Sequence, residues 1–251
     1  MRILLVNDDG IAAPGLALVE NHVQALGHEV WVVAPFGQQS AKSRALTLYG
    51  EMRLHPQGDQ RFALEGTPVD CVLFALGNVL SATPPDVVIS GMNMGANLAE
   101  DVAYSGTCGA ALEAASCGVP ALALSQMRGD RGCDYELAAE LLEAHFDAFL
   151  TATLNQSGVL NVNFPNFRIA EPVQVQVVPL GQRAFGTPMV QVGDNHGIGL
   201  YAYPSRVPEH PEHRSDDLEV VHDGHIAVTP LQPSYEDRAA LGALKTALGT
   251  A

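Results

Sequence analysis

The sequence predicts an α/β fold in which a mostly parallel sheet carries helices on both faces. Three observations support this prediction. Apolar, β-branched segments alternate with helix-like segments over the first two-thirds of the chain, which is the pattern of β-α-β units. The strand-like segments are short apolar runs that end in turn signals, as buried strands do. Loops rich in Asp, Asn and Ser side chains follow several of these strands, at the sheet edge where such folds bind ligands.

The first three elements follow from local signals. Residues 1–6 are apolar and β-branched and precede Gly10, so they predict the first strand. Residues 14–26 predict a helix, because a proline opens the segment and Gly27 follows its end. Residues 29–34 predict a second strand, which the next proline closes.

The middle of the chain continues the alternation. Residues 36–45 are polar and predict a loop, and residues 46–65 alternate around two glycines and predict a hairpin. A helix is predicted over 67–80, with the threonine at its start as N-cap. Residues 86–90 predict a buried strand, and the Gly- and Asn-rich residues 91–106 predict a loop.

Four more elements complete the predicted core. They are a helix over 107–117, a strand over 121–125, an amphipathic helix over 134–150 and a strand over 159–163. We predict a single α/β domain over 1–251, with a core of about 1–170. Residues 171–251 are predicted to be a C-terminal extension that adds to the sheet or contacts a partner subunit. Strands are predicted there at 173–178 and 226–228.

Composition excludes several classes of function. The chain has 13 basic and 28 acidic residues, a formal charge of −15, which argues against a nucleic-acid polymer as partner. A small phosphate ester is compatible with this charge if a bound cation inverts the local field. No apolar stretch approaches the ~20 residues of a membrane span. The four cysteines lack C-x-x-C spacing, so we expect buried, reduced thiols and a cytoplasmic protein.

The acid pair Asp8 and Asp9, at the end of the first strand, is the most informative feature. Adjacent carboxylates repel each other and resist desolvation, so a hard divalent cation with oxygen ligands is their simplest partner. An acid pair before a glycine is also a common turn. Two further loops, residues 38–43 and 90–97, follow strands and are predicted to meet the pair at the same sheet edge. Two aspartates, a serine and an asparagine would fill only part of the cation's coordination shell, which leaves positions for water and substrate.

A small-residue turn at residues 104–111 opens the next helix. Its free N–H groups and the helix dipole would cradle a phosphate, with Ser105 and Thr107 adding hydroxyl donors. The same residues are also ordinary helix-capping chemistry. No G-K-[ST] sequence is present, so the turn is not a P-loop.

Several motifs together resemble the SurE family, the stationary-phase survival proteins that are metal-dependent nucleotidases. They are MRILLVNDDGIAAPG at 1–15, GTPVDCV at 66–72, SGMNMGAN at 90–97, DVAYSGTCGAA at 101–111, VLNVNFP at 159–165 and IAVTPL at 226–231. The similarity is strong over about 1–125 and patchy beyond. The family commonly has glycine where Ala41 and Ala99 stand, and often serine or asparagine in place of Arg44.

The resemblance implies a Rossmann-like fold and a set of site residues. The metal ligands would be Asp8, Asp9, Ser40 and Asn93. The substrate phosphate would lie among Asn97, Ser105, Gly106 and Thr107, and catalysis would involve Asp8, Asp9 and Asn97. The implied cofactor is one divalent ion, Mg²⁺ or Mn²⁺. The implied substrates are nucleoside 5′- and 3′-monophosphates, in some members also short polyphosphate, and the implied assembly is a homodimer or homotetramer.

Metal-dependent hydrolysis of a phosphomonoester is therefore the leading hypothesis, with Asp8 or Asp9 accepting a proton from water. A covalent aspartyl-phosphate is less favoured, because Gly10 stands where a D-x-D nucleophile motif has its second acid. Two alternatives remain at this point. A receiver-like signalling module also binds Mg²⁺ at an acid pair, and a sugar-nucleotide glycosyltransferase fragment would explain the apolar segment at 27–35.

Overall fold

The computed structural model describes residues 1–169, 172–182, 189–202 and 215–249, and this part of the chain forms eleven strands and seven helices. The strands are β1 Arg2–Val6, β2 Glu29–Pro35, β3 Leu54–Gly58, β4 Arg61–Leu64, β5 Val87–Met94, β6 Ala121–Gln126, β7 Val159–Phe164, β8 Val175–Val177, β9 Val190–Asn195, β10 Ile198–Ala202 and β11 Ile226–Leu231. The helices are α1 Pro14–Ala25, α2 Pro68–Phe74, α3 Asp101–Tyr104, α4 Gly106–Ser116, α5 Tyr135–Leu154, α6 Asp217–His222 and α7 Arg238–Leu248. A π-helical segment, Ala75–Val79, continues α2.

Nine strands form one sheet in the order β3-β4-β2-β1-β5-β6-β7-β11-β8. The six strands from β4 to β7 pair in parallel, while β3 and β11 join their neighbours β4 and β7 in antiparallel fashion. The predicted mostly parallel α/β fold is confirmed. The predicted hairpin is β3–β4, and because β4 also pairs with β2, it extends the main sheet.

Helices cover both faces of the sheet, because the inner strands are buried on both sides. In β1, Ile3 and Leu5 belong to the core beneath α1 and α5, and Leu4 and Val6 belong to the core beneath α2 and α4. Helix α1 packs closely on β5, since a Cβ at Gly15 would lie 2.0 Å from the Met92 carbonyl oxygen. The two cores therefore enclose the inner strands from both faces.

The chain changes direction between β1 and β5. Helix α1 leads from β1 to β2 on one face, and α4 leads from β5 to β6 on the other. In an open parallel sheet, the crevice at such a switch point lies at the carboxyl ends of the two strands. The acid pair follows β1 and Asn93 lies near the end of β5, so both border this crevice.

Some predicted boundaries were wrong. The predicted loop 91–106 contains the end of β5 and the short helix α3, because after a bulge at 91–92 Asn93 and Met94 pair again with β6. Helix α5 runs four residues past its predicted end. The hairpin of β9 and β10 and helices α6 and α7 were not predicted. The hairpin strands and the six-residue α6 lack a clear apolar period, whereas α7 is amphipathic and its period was missed.

The predicted extension contributes β8 and β11 to the sheet. Residues 170–171, 183–188, 203–214 and 250–251 of that extension lie outside the described residues, and the division into core and extension stays a prediction. None of the described helices is long and apolar enough to cross a membrane. All four cysteines are free. Cys71 and Cys108 are buried as expected. Cys133 is only half-buried, and Cys117 is exposed because it lies at the C-terminal end of α4.

Candidate metal and phosphate site

The turn after β1 presents the acid pair at the crevice. The buried Asn7 side chain holds this turn, since its Nδ2 donates to the Gly10 carbonyl at 2.9 Å and its Oδ1 accepts from the Gly10 N–H at 3.2 Å. Gly10 adopts a φ of 101°, which a residue with a side chain rarely takes. The chain therefore turns directly behind Asp8 and Asp9.

Asp8 is nearly buried and touches the N-terminus of α4. Its side chain accepts a 2.5 Å hydrogen bond from Thr107 Oγ1 at Oδ1. A Cβ at Gly106 would lie 2.8 Å from the Asp8 Cβ, so only glycine allows this approach. Burial raises the pKa of Asp8 to about 6; the Thr107 hydrogen bond acts in the opposite direction, and the charge of Asp9 adds to the rise.

Asp9 faces β5. Its Oδ2 accepts from the Met94 N–H at 2.9 Å, and burial raises its pKa while the hydrogen bonds from Met94 and Gln38 act to lower it. Among the described residues, neither aspartate forms an ion pair with a lysine or arginine. Asp8 is thus buried and Asp9 half-buried, and neither carboxylate has a basic counter-charge within the part of the chain that the structure describes.

Ser40 is exposed on the turn after β2. Its neighbour Gln39 donates its backbone N–H to the Asp8 carbonyl at 2.7 Å, which ties this loop to the acid pair. A Cβ at Gly10 would lie 3.1 Å from the carbonyl carbon of Gly37, so the two turns pack backbone to backbone. The loop with Ser40 therefore lies beside Asp8, as the sequence predicted.

Asn93 lies one residue before the end of β5. Its Nδ2 donates to the Gly95 carbonyl at 2.7 Å, and this leaves Oδ1 as an acceptor for a cation. The Gly95 N–H is bonded in turn to the Gln126 carbonyl at 2.9 Å. The predicted metal ligands are two carboxylates and two neutral oxygen-bearing side chains. The described residues contain no group of three or more His, Cys, Asp or Glu side chains suited to a metal. Such an all-oxygen set suits a hard cation that keeps several waters.

The predicted phosphate turn lies at the N-terminus of α4. Ser105 is the N-cap, and its Oγ accepts from the Cys108 N–H at 3.0 Å. The N–H groups of the first helical turn lack intrahelical partners, so those of Gly106 and Thr107 remain for a ligand. Capping and phosphate binding are therefore compatible here.

Asn97 lies in the loop after β5 and is 6% exposed. Its side-chain Nδ2 donates to Ser125 Oγ at 2.7 Å, while its backbone is bonded to side chains of β7. The predicted site residues therefore meet at one sheet edge in two groups. Asp8, Gly106 and Thr107 touch directly, and Asn93 and Asn97 lie at the ends of β5 to β7.

Three residues that bond Asn97 were not predicted from the sequence: Asn161, Asn163 and Ser125. A signal for them was present, because two asparagines two residues apart in an otherwise apolar strand lie on one face of the sheet. Arg44, by contrast, does not reach the site. It pairs with Glu113 at 2.7 Å on the outer side of α4.

The backbone conformation at Ala41 and Ala99 explains why the family commonly has glycine at these two positions. Both residues adopt a positive φ, 57° and 50°, which glycine takes freely and alanine takes at a cost of about 1–2 kcal/mol. Ala99 is held in place by the buried Asp217 of α6, whose carboxylate accepts from the Ala99 N–H at 2.9 Å and from the Gly181 N–H at 2.7 Å. Burial raises the pKa of Asp217, and these N–H donors act to lower it.

The returning end of the loop after β2 is fixed by α2. Asp70 accepts from the Thr47 N–H at 3.1 Å, the Thr47 hydroxyl at 2.6 Å and the Thr67 N–H at 2.8 Å. Thr67 caps α2 and donates its hydroxyl to the Ala45 carbonyl at 2.7 Å. This capping box therefore anchors the loop that carries Ser40.

We expect Asp70→Ala to lower the free energy of unfolding by about 2–3 kcal/mol, because it removes the capping box and leaves the Thr47 donors unpaired. Urea titration followed by circular dichroism measures this change. The exposed Asp59→Ala serves as the matched control. A difference between the two variants below about 0.5 kcal/mol, the usual range for surface substitutions, would contradict the anchoring role.

Known proteins match this chain over most of its length. The family model described as "Survival protein SurE" matches residues 3–187. The 5′-nucleotidase SurE of Rhizorhabdus wittichii is 41% identical over 249 residues, covering 97% of this chain and 98% of that protein. The 5′-nucleotidase SurE 1 of Burkholderia lata is 38% identical, covering 99% and 96%. The crystal structure of the SurE protein from Aquifex aeolicus superposes with a TM-score of 0.85 at 29% identity, covering 99% of this chain and all of that one.

Proposed function

This chain belongs to the SurE family, and from that premise we propose that it is a metal-dependent nucleotidase. It would hydrolyse nucleoside 5′-monophosphates to nucleoside and inorganic phosphate. One observation carries the proposal. Buried Asp8 and half-buried Asp9 form no ion pair with a lysine or arginine among the described residues, and Asp8 adjoins a helix N-terminus whose N–H groups suit a phosphate.

Asp8, Asp9, Ser40 and Asn93 would hold the divalent ion, Mg²⁺ or Mn²⁺. The fit is supported by the chemistry of the donors, since all four offer oxygen and both carboxylates have raised pKa values in the absence of a cation. When bound, such an ion stabilises negative charge on a phosphoryl group and acidifies a water. The raised pKa values mean that ionising these carboxylates costs free energy, and a bound cation would lower that cost.

The other side chains would bind the phosphate and move a proton. The N–H groups of Gly106 and Thr107 point from the start of α4 and would donate to phosphate oxygens as charge develops there. Asn97 would donate its remaining amide hydrogen to the same group. The Thr107 hydroxyl occupies Asp8 Oδ1, so Asp8 Oδ2 or Asp9 would accept the proton of the attacking water.

We extend the proposal to substrate range, assembly and location. Nucleoside 3′-monophosphates and short polyphosphate would be additional substrates, as the family resemblance implies, and nucleic-acid polymers would not be bound by a chain of charge −15. A homodimer or homotetramer is supported by exposed apolar side chains on the β9–β10 hairpin, among them Val192 and Ile198. The free cysteines support a cytoplasmic location. A receiver module is not favoured, because β5 ends in Asn93 and Met94 without a phospho-acceptor aspartate.

Phosphate release tests the proposal. The chelator-stripped protein is assayed with AMP, GMP, CMP, 3′-AMP and tripolyphosphate, each with EDTA, Mg²⁺ or Mn²⁺. We expect EDTA to reduce AMP hydrolysis by about 10²–10³-fold, because several kcal/mol of charge stabilisation are lost, and either ion to restore it. Equal release with EDTA and with metal would refute metal dependence. No release from any nucleotide under any condition would refute the nucleotidase itself.

A further inference from the structure

We propose that Ser125, Asn161 and Asn163 form a clamp that positions Asn97 for catalysis. Ser125 and Asn163 lie near the carboxyl ends of β6 and β7, and Asn161 lies two residues earlier in β7. All three are outside the proposed metal and phosphate ligands. They would act through Asn97 without touching the substrate themselves. The inference rests on the proposed function, because it assumes that Asn97 contacts the substrate phosphate.

Both backbone groups of Asn97 are held by side chains of β7. The Asn97 N–H donates to Asn163 Oδ1 at 2.8 Å. The Asn97 carbonyl accepts from Asn161 Nδ2 at 2.9 Å and from Asn163 Nδ2 at 3.2 Å. Loop backbone is more often bonded to water or to other backbone, so two amide side chains dedicated to one residue are an unusual arrangement. These bonds hold both the N–H and the carbonyl of Asn97.

The side chain of Asn97 is held by β6. Its Nδ2 donates to Ser125 Oγ at 2.7 Å, which sets the orientation of the amide and leaves Oδ1 and the second N–H hydrogen for a ligand. All three clamp residues are at most 1% exposed. Buried polar groups of this kind lower stability unless every bond is made, so apolar residues would serve the core better. The clamp therefore points to a function beyond packing.

The clamp is part of a polar row that crosses the sheet to the proposed ligands. Asn93 pairs with Ser125 along β5 and β6, and Ser125 pairs with Asn163 along β6 and β7. Asn161 contacts the phosphate turn as well, since its Oδ1 lies 3.7 Å from Cys108 Sγ, in the first turn of α4. The same side chains thus set the distance between Asn97 and the residues that would hold metal and phosphate.

The pair Ser125→Val and Ser125→Thr tests the clamp, because the two side chains have the same shape and only threonine keeps the hydroxyl. We expect the valine variant to lower kcat for AMP by about tenfold or more, since misplacement of a catalytic group by about 1 Å can reduce the rate 10²-fold. The Mg²⁺ concentration that gives half-maximal activity should stay unchanged. Threonine should retain most of the wild-type kcat. Thr153→Val is the control, because it removes a buried hydroxyl that bonds the Phe149 carbonyl within α5. It should lower the melting temperature and leave kcat unchanged.

Amide hydrogen exchange gives a readout that does not depend on turnover. Asn163→Asp keeps the acceptor for the Asn97 N–H but replaces the donor to the Asn97 carbonyl with a second acceptor. We expect exchange of the amides at 95–99 to become at least tenfold faster, while exchange in β1 stays as in the wild type.

The outcomes separate the clamp from the proposed function. Wild-type kcat in the valine variant, or equal losses in the valine and threonine variants, would overturn the clamp and leave the nucleotidase standing. If the wild-type protein releases no phosphate from AMP, the proposed function has failed and exchange alone decides. Unchanged exchange at 95–99 in the Asn163→Asp variant then overturns the clamp, and accelerated exchange supports its positioning of Asn97.

Discussion

Replacing Asp8 with asparagine is expected to abolish AMP hydrolysis and, at the same time, to stabilise the metal-free protein at neutral pH. Activity should fall by about 10³-fold, because the proposed cation loses a charged ligand. Stability should rise because burial raises the pKa of Asp8 to about 6, so holding it ionised costs free energy. The Thr107 hydroxyl can still donate to the asparagine oxygen, so the fold keeps this contact.

The sign of the pH dependence follows from the raised pKa. The wild-type protein is favoured while Asp8 is protonated in both states, below about pH 4, and loses stability as the pH rises to about 6. The asparagine variant has no such loss, so its advantage should grow over this window. A pKa of about 6 for Asp8 in place of the ordinary 3.8 corresponds to a loss of stability of at most about 3 kcal/mol at pH 7.

Thermal unfolding of EDTA-treated protein at pH 4 and pH 7 measures this gap, and phosphate release with Mg²⁺ measures the activity. The exposed Asp59→Asn is the matched control, and it should change neither quantity. An Asp8→Asn variant that is less stable than the wild type at pH 7, or that still turns over AMP at the wild-type rate, would contradict the account of the acid pair.

Gly106→Ala is expected to reduce AMP hydrolysis by about 10²-fold or more while the protein remains folded. The new Cβ would lie 2.8 Å from the Asp8 Cβ, 3.0 Å from Asp8 Oδ2 and 3.1 Å from Pro68 Cγ, so Asp8 or the start of α4 must move. Either shift separates the acid pair from the helix N-terminus, and small displacements of catalytic groups are costly.

Steady-state kinetics and circular dichroism test this prediction together. Gly242→Ala is a suitable control, because its Cβ would meet nothing within 4 Å on α7. Activity of Gly106→Ala within about twofold of the wild type would mean that the contact between Asp8 and α4 is not needed for the reaction.

Much of the fold was predictable because its signals are local. The buried strands are continuous apolar runs, and α1 and α2 begin with Pro14 and Thr67 at the positions that helix starts favour. The placement of the acid pair and of Asn93 along one sheet edge followed from one topological rule about parallel sheets. The β9–β10 hairpin was missed because its strands are exposed on both sides, so no core imposes a pattern.

The internal contacts of the site were not predictable in the same way. Thr107 and Asp8 are 99 residues apart, and Asn97 and Asn163 are 66 apart, so neither contact leaves a mark in local sequence. The polar residues of β7 could be recognised as unusual in an apolar strand. Their partner could not be named, since Asn97 lies in a loop whose path depends on the whole sheet.

The buried carboxylate of Asp217 joins stretches of chain that are far apart in sequence. A truncated protein ending near residue 170 would retain every proposed ligand. The Ala99 amide would lose its acceptor, and nothing would then hold Ala99 in its left-handed conformation. Catalytic competence in this family member would then require the carboxyl-terminal third at least as far as α6. Evolutionary shortening of that third would be tolerated only if another acceptor replaced Asp217.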